Sequence, residues 1–248
     1  MAGVYESQHF DDPVLAYDRI APTYAELAQR RERYLRAVER EIVRRVPQGS
    51  NSLLDIGAGD GSRALRIATQ AGINRIVLVE PSEKMIIQPP GGGPIWRCRA
   101  EELQARSPGE NFEVITCLWN VLGHVPGTGL RVQSLCAIAN LLSGNGRFFL
   151  DINHRYNARS YGLIRTTARF FYDLVLRSNS NGDVVASWKV DESRISTYGH
   201  VFTDQEVMQL ARSSGLKLED RVVIDYEDGR LRRWPFHGNL LYVFRRHS

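Results

Sequence analysis

The sequence predicts an α/β fold built around a mostly parallel sheet, and three observations support this. Residues 53–56 (Leu-Leu-Asp-Ile) form an apolar run that is typical of a buried strand. A glycine-rich turn follows this run, and a helical pattern begins at Ser62. A second apolar run, residues 75–79, ends at Glu80. Short apolar strands that alternate with helices predict a parallel sheet covered by helices.

The turn after the first strand predicts a ligand site, because glycines allow the backbone to approach a ligand closely. Its glycines follow the spacing G-x-G-x-G, whereas the nicotinamide and flavin fingerprint G-x-G-x-x-G would need a glycine at Ser62. Asp55 lies just before the first glycine, and Glu80 follows about 20 residues later, where an acid can accept hydrogen bonds from both ribose hydroxyls. The alternatives are that Asp55 only orders the turn and that Glu80 is an exposed loop acid.

This pattern resembles motif I of the class I S-adenosylmethionine (SAM) methyltransferases. The resemblance implies a Rossmann-like seven-stranded sheet, mostly parallel with the last strand antiparallel, with helices on both faces. It also implies SAM as the cofactor and S-adenosyl-L-homocysteine as the product. The residues that match the cofactor-binding positions of the family are Asp55, Gly57, Ala58, Gly59, Gly61, Glu80, Pro81, Arg99, Ala100, Glu101, Leu118, Trp119 and Asn120.

One of these positions departs from the family pattern. Residues 99–103 (Arg-Ala-Glu-Glu-Leu) resemble the D-A-E-x-L turn at which an acid and a backbone amide meet the adenine ring. Arg99 replaces the acid and cannot accept a hydrogen bond. The backbone amide of Ala100 is still expected to pair with the ring, while Arg99 stacks on the adenine or pairs with Glu101.

Two stretches indicate where the methyl acceptor binds. Residues 17–24 resemble the YD-x-x-A-x-x-Y opening of small-molecule methyltransferases, which folds over the cofactor and the substrate. Tyr17 and Tyr24 are therefore expected either to touch the substrate or to pack this segment onto the domain.

The stretch after the fifth strand, residues 150–157, is similar to a segment of the glycine N-methyltransferases in which an arginine binds the carboxylate of the amino acid. Asn153 occupies that place in a gapless alignment, and Arg155 follows two residues later. Arg155 is expected to bind an acceptor carboxylate or to pair with a local acid. The substrate-binding candidates of this stretch are Asn153, Arg155, Tyr156 and Tyr161.

An acceptor that carries a proton needs a base, and two histidines lie just beyond strand ends that face the predicted crevice. These are His124 and His154. For each of them the alternative is a structural histidine.

We expect a small antiparallel β insertion after the fifth strand, with strands at residues 169–176, 184–190 and 193–201 and a turn at residues 179–183. The chain then divides into four parts. In order they are an N-terminal helical lid (1–47), a SAM-binding core (48–152), a substrate-covering insertion (153–202) and the C-terminal part of the core sheet (203–248).

Composition limits the other possibilities. Cys98, Cys117 and Cys136 show no metal-ligand spacing, so we expect no metal site and reduced thiols in a cytoplasmic protein. No apolar run reaches 18 residues and the first 12 residues lack a signal-peptide pattern, so no membrane association is expected.

The net charge of +4 is local, because residues 30–45 hold seven arginines and three glutamates. Such a helix could contact nucleic acid or could present a solvated face. Residues 118–121 (Leu-Trp-Asn-Val) stand where many nucleic-acid base methyltransferases have N-P-P-Y or D-P-P-Y, which counts against a nucleic-acid partner.

The sequence thus predicts a SAM-dependent methyltransferase that acts on a nitrogen or oxygen of a small-molecule acceptor. An RNA or protein methyltransferase that uses the basic helix, and a non-catalytic SAM-binding subunit, are the alternatives. A homodimer is left open.

Overall fold

The computed structural model describes residues 11–106, 109–176, 178, 180–190 and 192–247. Within these residues the strands are Ser52–Ile56 (β1), Arg75–Val79 (β2), Ile95–Trp96 (β3), Phe112–Cys117 (β4), Leu142–Ile152 (β5), Asp183–Val190 (β6), Ser193–His200 (β7), Leu216–Ile224 (β8), Leu231–Arg232 (β9) and Asn239–Arg246 (β10). The α-helices are Pro13–Ile20 (α1), Tyr24–Gln29 (α2), Glu32–Val43 (α3), Ser62–Ala71 (α4), Leu103–Arg106 (α5), Gly127–Leu141 (α6), Ala158–Tyr161 (α7), Leu163–Val175 (α8) and Asp204–Ser213 (α9).

The main sheet has the strand order β3-β2-β1-β4-β5-β10-β8-β9. Its first five strands run parallel, while β10 lies antiparallel between β5 and β8. The predicted Rossmann-like sheet with an antiparallel last strand is confirmed. The two-residue strand β9 adds an eighth strand at one edge, where Val223 pairs with Arg232.

Strand β1 is central because its apolar residues are needed on both faces of the sheet. Leu53 and Leu54 are both fully buried and point to opposite faces. Leu53 joins the core formed with α3 and α4, and Leu54 joins the core formed with α6 and α9. This double burial explains why the strand has a continuous apolar run rather than an alternating pattern.

The insertion after β5 contains the predicted antiparallel pair, since β6 pairs with β7 along its whole length. The prediction of a strand at residues 169–176 is wrong, because residues up to Val175 belong to helix α8. Its apolar residues recur every three or four positions, so that Ile164, Phe171 and Val175 share one side of the helix. The predicted turn at 179–183 therefore joins a helix to β6, and residue 179 lies outside the described residues.

The N-terminal part forms two short helices joined by a 3₁₀ turn at Ala21–Thr23. Helix α1 begins at Pro13, and the side chain of Asp12 caps it by accepting a hydrogen bond from the Val14 amide at 2.9 Å. The first ten residues of the predicted lid lie outside the described residues. Among the described residues, no helix has the length and apolar character needed to cross a membrane.

Candidate functional site

The turn after β1 brings backbone close to two other elements. Gly57 and Gly59 have left-handed backbone angles, with φ of +67° and +60°. A Cβ on Gly57 would lie 2.5 Å from a methyl carbon of Val121, and one on Gly59 would lie 2.7 Å from the hydroxyl of Tyr24. Both the conformation and the space therefore require glycine.

Glu80 lies at the end of β2 with its carboxylate beside this turn. Its Oε2 accepts a hydrogen bond from the Gly59 amide at 2.9 Å, and its Oε1 accepts one from the Ser82 amide at 3.0 Å. Burial raises the pKa of Glu80 to about 7. Each carboxylate oxygen keeps a second acceptor position, which is what a pair of ribose hydroxyls needs. Glu80 is thus a buried, oriented acid and not an exposed loop residue.

Asp55 is the second buried acid of the site. Its Oδ1 accepts a hydrogen bond from the hydroxyl of Thr116 at 2.6 Å. Burial raises the pKa of Asp55 to about 6, and the positive charge of Arg63 opposes this rise. No role of Thr116 or Arg63 is predicted from the sequence. The position of Arg63 in the first helical turn after the glycines was the signal that could have indicated its role beside Asp55.

One open cavity connects these groups, with about 1070 Å³ of space between protein atoms that includes solvent at its mouth. Among the residues that the sequence predicted for the site, those that line this cavity are Tyr17, Tyr24, Asp55, Gly57, Ala58, Gly59, Glu80, Pro81, Arg99, Ala100, Glu101, Leu118, Trp119 and His124. The cavity has the two oriented acids and the glycine turn, so its residues fit an adenosine-containing cofactor.

Gly61 and Asn120 do not line the cavity, although the sequence predicted cofactor contacts for them. Gly61 precedes helix α4 with φ of +74°. The side chain of Asn120 donates to the carbonyl of His200 at 3.0 Å and accepts from the amide of Asn153 at 3.0 Å. The side chain of Asn120 therefore connects the end of β7 to the segment after β5, outside the lining of the cavity.

The residues predicted after β5 also lie outside this cavity. His154 forms a hydrogen bond through Nδ1 with the carbonyl of Pro235 at 3.0 Å, and burial lowers the pKa of His154 to about 4. The backbone amide of Asn153 donates a hydrogen bond to the side chain of Asn120. Tyr156 donates to Asp173 at 2.7 Å.

Arg155 pairs with Asp173 at 3.2 Å and with Glu206 at 2.8 Å, so its partners are the local acids of the alternative interpretation. Together with Tyr161, it lines a separate groove beside α8.

His124 and Tyr17 meet at the wall of the main cavity. The Nδ1 of His124 lies 2.9 Å from the carbonyl of Tyr198, which can only accept, so Nδ1 carries the hydrogen. Nε2 is then free to accept from the hydroxyl of Tyr17, 3.1 Å away. Burial lowers the pKa of His124, which favours the neutral ring. The ring of Trp188 packs edge-on against Tyr17 with centroids 5.6 Å apart.

Arg99 does not form the predicted pair with Glu101. Its guanidinium pairs with Asp12 at 2.6 Å rather than with Glu101. Since Asp12 also caps α1, this ion pair fixes the start of α1 against the turn predicted to meet the adenine. Tyr17 and Tyr24, on α1 and α2, are thereby held over the cavity.

A buried acid that the sequence did not single out supports the cavity wall. Trp119 and Asn120 both have positive φ, +57° and +64°, which is uncommon for side chains of this size. The Trp119 amide donates to Asp151 Oδ2 at 2.9 Å, and the hydroxyl of Tyr34 donates to Asp151 Oδ1. An acid within the apolar end of β5, residues 148–152, was the signal that could have indicated this role.

Four of the seven arginines at residues 30–45, in and around helix α3, form ion pairs with acids. Arg44 and Arg45 contact Glu41 at 2.9 and 2.7 Å, and Arg45 also contacts Asp220 at 2.7 Å. Arg36 contacts Glu39 at 3.2 Å. This pairing reduces the charge that the helix would offer to nucleic acid.

Comparison with known proteins was made for sequence families, curated proteins and solved structures. Residues 26–220 match a family model described as a methyltransferase domain. No curated protein matches the chain. Among solved structures, a SAM-dependent methyltransferase from Clostridium acetobutylicum is 13% identical with a TM-score of 0.63, and the match covers 94% of this chain and 99% of that one.

Two further similar structures are of methyltransferases whose names state an acceptor. A sugar N-methyltransferase from Streptoalloteichus is 16% identical with a TM-score of 0.58, and the match covers 100% of this chain and 98% of that one. A possible histamine N-methyltransferase from Thermotoga maritima is 16% identical with a TM-score of 0.59, and the match covers 94% and 99%. At these identities the structural likeness shows the fold.

Proposed function

The chain belongs to the class I SAM-dependent methyltransferases, whose cofactor is SAM, and from this premise we propose that it methylates a nitrogen or oxygen of a small-molecule acceptor. The observation that carries the proposal is that one cavity contains the glycine turn, the buried Glu80 carboxylate and the Tyr17–His124 pair. SAM supplies an electrophilic methyl group when it is bound. The protein then has to orient the acceptor and handle its proton.

The cofactor roles follow from the geometry of the cavity. Glu80, whose carboxylate is oriented by two backbone amides, accepts hydrogen bonds from the ribose hydroxyls. The backbone around Gly57 and Gly59 leaves room for the cofactor chain because neither residue has a Cβ. The amide of Ala100 and the side chain of Glu101 are the proposed contacts of the adenine ring, since both residues line the same cavity.

The acceptor role falls to the wall formed by α1 and the residues after β4. Methyl transfer is an in-line displacement, so holding the acceptor beside the methyl group supplies much of the rate. His124 is neutral and has Nε2 directed at the Tyr17 hydroxyl, so it is the candidate base for an acceptor proton.

Two observations favour a small acceptor over a macromolecule. Helices α1 and α2 cover the cavity with Tyr17 and Tyr24, which restricts access for a large substrate. Four of the seven arginines in and around α3 are engaged with acids, which reduces the positive charge available to a nucleic acid. The Streptoalloteichus and Thermotoga proteins, a sugar N-methyltransferase and a possible histamine N-methyltransferase, support an amine nitrogen in particular.

The test is transfer of labelled methyl from SAM to a panel of small amines, phenols and alcohols, with RNA and protein offered in parallel. We expect turnover with a small amine or hydroxyl compound and none with RNA. Turnover with RNA or protein alone would replace the small-molecule proposal. SAM binding without turnover on any acceptor would favour a non-catalytic SAM-binding subunit.

A further inference from the structure

Helix α8 is oriented with its polar side toward the protein. Thr166 is buried, and Arg169 and Asp173 are partly buried on the same side of the helix. Asp173 accepts from Arg155 at 3.2 Å, and Arg169 donates to the carbonyl of Asn181 at 2.8 Å. An ordinary surface helix does the reverse and buries its apolar stripe.

The opposite side of α8 is apolar and faces outward. Seven large apolar side chains at the helix and its end are 53–86% exposed. They are Leu163, Ile164, Phe171, Tyr172, Leu174, Val175 and Leu176. We call this set the α8 face. A contiguous apolar surface of this size is typical of an interaction site, whereas single exposed apolar residues such as Ile87 are ordinary.

The charge distribution argues against a lipid surface as the occupant. A membrane-surface helix turns its apolar side to the bilayer and keeps a lysine- and arginine-rich side in water. Of the three charged residues of α8, Arg169 and Asp173 are tied to the protein by hydrogen bonds and only Arg165 is exposed, so the helix has no lysine- and arginine-rich side in water. The α8 face itself carries no charge, which makes it complementary to another uncharged apolar face.

We propose that the α8 face is the interface of a homodimer, in which it packs against the α8 face of a second copy. A two-fold interface brings the same surface of both copies together, and with the two-fold axis perpendicular to α8 the two helices run antiparallel. The midpoint of the α8 face, which spans residues 163–176, lies between positions 169 and 170. With the two-fold axis at this midpoint, Phe171 of one copy lies opposite Ala168 of the other. Ala168 is exposed and small, so it leaves space for the ring of Phe171.

The available area agrees with this occupant. With about 100 Å² of exposed surface for each side chain, the α8 face offers roughly 700 Å² per copy. A standard stable interface takes about 800 Å² from each partner. The face therefore suffices for a dimer once the neighbouring rim is included, and the proposal does not depend on the methyl-transfer function.

The test compares the oligomeric state of the full chain with two variants by sedimentation velocity over about 1–100 µM protein. We expect the wild type to be a dimer and Ile164→Glu/Phe171→Glu to raise the dissociation constant at least about tenfold, because a two-fold interface contains each substitution twice. Ile87→Glu is the matched control, since Ile87 is 86% exposed elsewhere, and it is expected to leave the dimer unchanged.

A second variant tests the same pairing without charge. Ala168→Cys/Phe171→Cys is expected to form a covalent dimer on mild oxidation, while the wild type, with Cys98, Cys117 and Cys136, does not. A wild type that stays monomeric overturns the proposal, as does a dimer that persists in the glutamate variant or the absence of covalent dimer in the cysteine variant. Binding of the wild-type monomer to phosphatidylcholine–phosphatidylserine vesicles would assign the face to lipid instead.

Discussion

Asp151, in strand β5, holds in place Trp119, which follows the neighbouring parallel strand β4. The carboxylate of Asp151 accepts a hydrogen bond from the Trp119 amide at 2.9 Å, and Trp119 has a positive φ of +57°. Asp151 is 1% exposed, so its carboxylate has almost no access to water. The bond thus stabilises a strained residue that lines the cofactor cavity.

We expect Asp151→Ala to lower the free energy of unfolding by roughly 2–4 kcal/mol, because it leaves the Trp119 amide and the Tyr34 hydroxyl without their acceptor. It is also expected to weaken SAM binding, since Trp119 loses its support. Denaturant unfolding and calorimetry measure the two effects. Tyr34→Phe is the matched control, which removes one of the two bonds and is expected to cost about 1–2 kcal/mol. A fully stable Asp151→Ala variant would contradict this role.

Gly57→Ala is expected to reduce SAM affinity by at least about tenfold, because the new Cβ would lie 2.5 Å from Val121 in the wall of the cavity. Gly72→Ala separates this effect from backbone strain. Gly72 has a similar φ of +71°, but a Cβ there would meet no atom within 4 Å. The control is expected to lose about 1–2 kcal/mol of stability and to bind SAM normally. Equal affinities for the two variants would show that the close approach to Val121 is unimportant.

Much of the fold and the cofactor side of the cavity could be predicted from the sequence, because local patterns encode them. A buried strand, a glycine turn and a strand-end acid at Glu80 are all short-range signals, and the structure brings them together. The acceptor side could not be predicted in the same way. His124 and His154 looked equivalent, and only the packing of β7 and the segment around Pro235 distinguishes them.

The prediction for the residues of helix α8 is wrong for a related reason. A strand is predicted at residues 169–176 because this run precedes a turn signal at 179–183 and the strand pattern at 184–190. The charged residues Arg169 and Asp173 of the helix pair with residues distant in sequence, including Arg155. The inverted orientation therefore depends on tertiary contacts, to which local periodicity is blind.

SAM affinity is expected to increase with pH between about 6 and 8. Burial raises the pKa of Glu80 to about 7, and the ionised carboxylate is the form that accepts both ribose hydroxyls. About a tenfold stronger binding at pH 8 than at pH 6 follows from one such group. Calorimetry at both pH values measures it, and Glu80→Gln is expected to bind weakly with little pH dependence. An affinity that is equal at the two pH values would contradict the assignment.

The stability of the free protein should change in the opposite direction. Because the folded pKa of Glu80 lies above its unfolded value, the folded chain holds a proton between about pH 4.5 and 7 that the unfolded chain has lost. The contribution of Glu80 to the free energy of unfolding therefore decreases as the pH rises through this window. Asp55, with a pKa of about 6, adds to the same trend. Denaturation of wild type and Glu80→Gln across this range should differ in slope.

His124→Asn is expected to lower kcat about 100-fold for an acceptor that loses a proton, with the dissociation constant of SAM changed less than about threefold. Tyr17→Phe should lower kcat less, because it removes only the hydroxyl that Nε2 accepts from. His237→Asn, at an exposed histidine, is the matched control. Unchanged turnover in His124→Asn would remove His124 from the proposed chemistry.

Calorimetric titration of SAM into wild type, Glu80→Ala and the exposed-acid control Glu83→Ala tests the central claim most directly. The account predicts micromolar binding by the wild type and by Glu83→Ala, and binding at least about tenfold weaker by Glu80→Ala, because the ribose hydroxyls lose their acceptor. Absence of SAM binding by the folded wild type, or equal affinity of all three proteins, would contradict it.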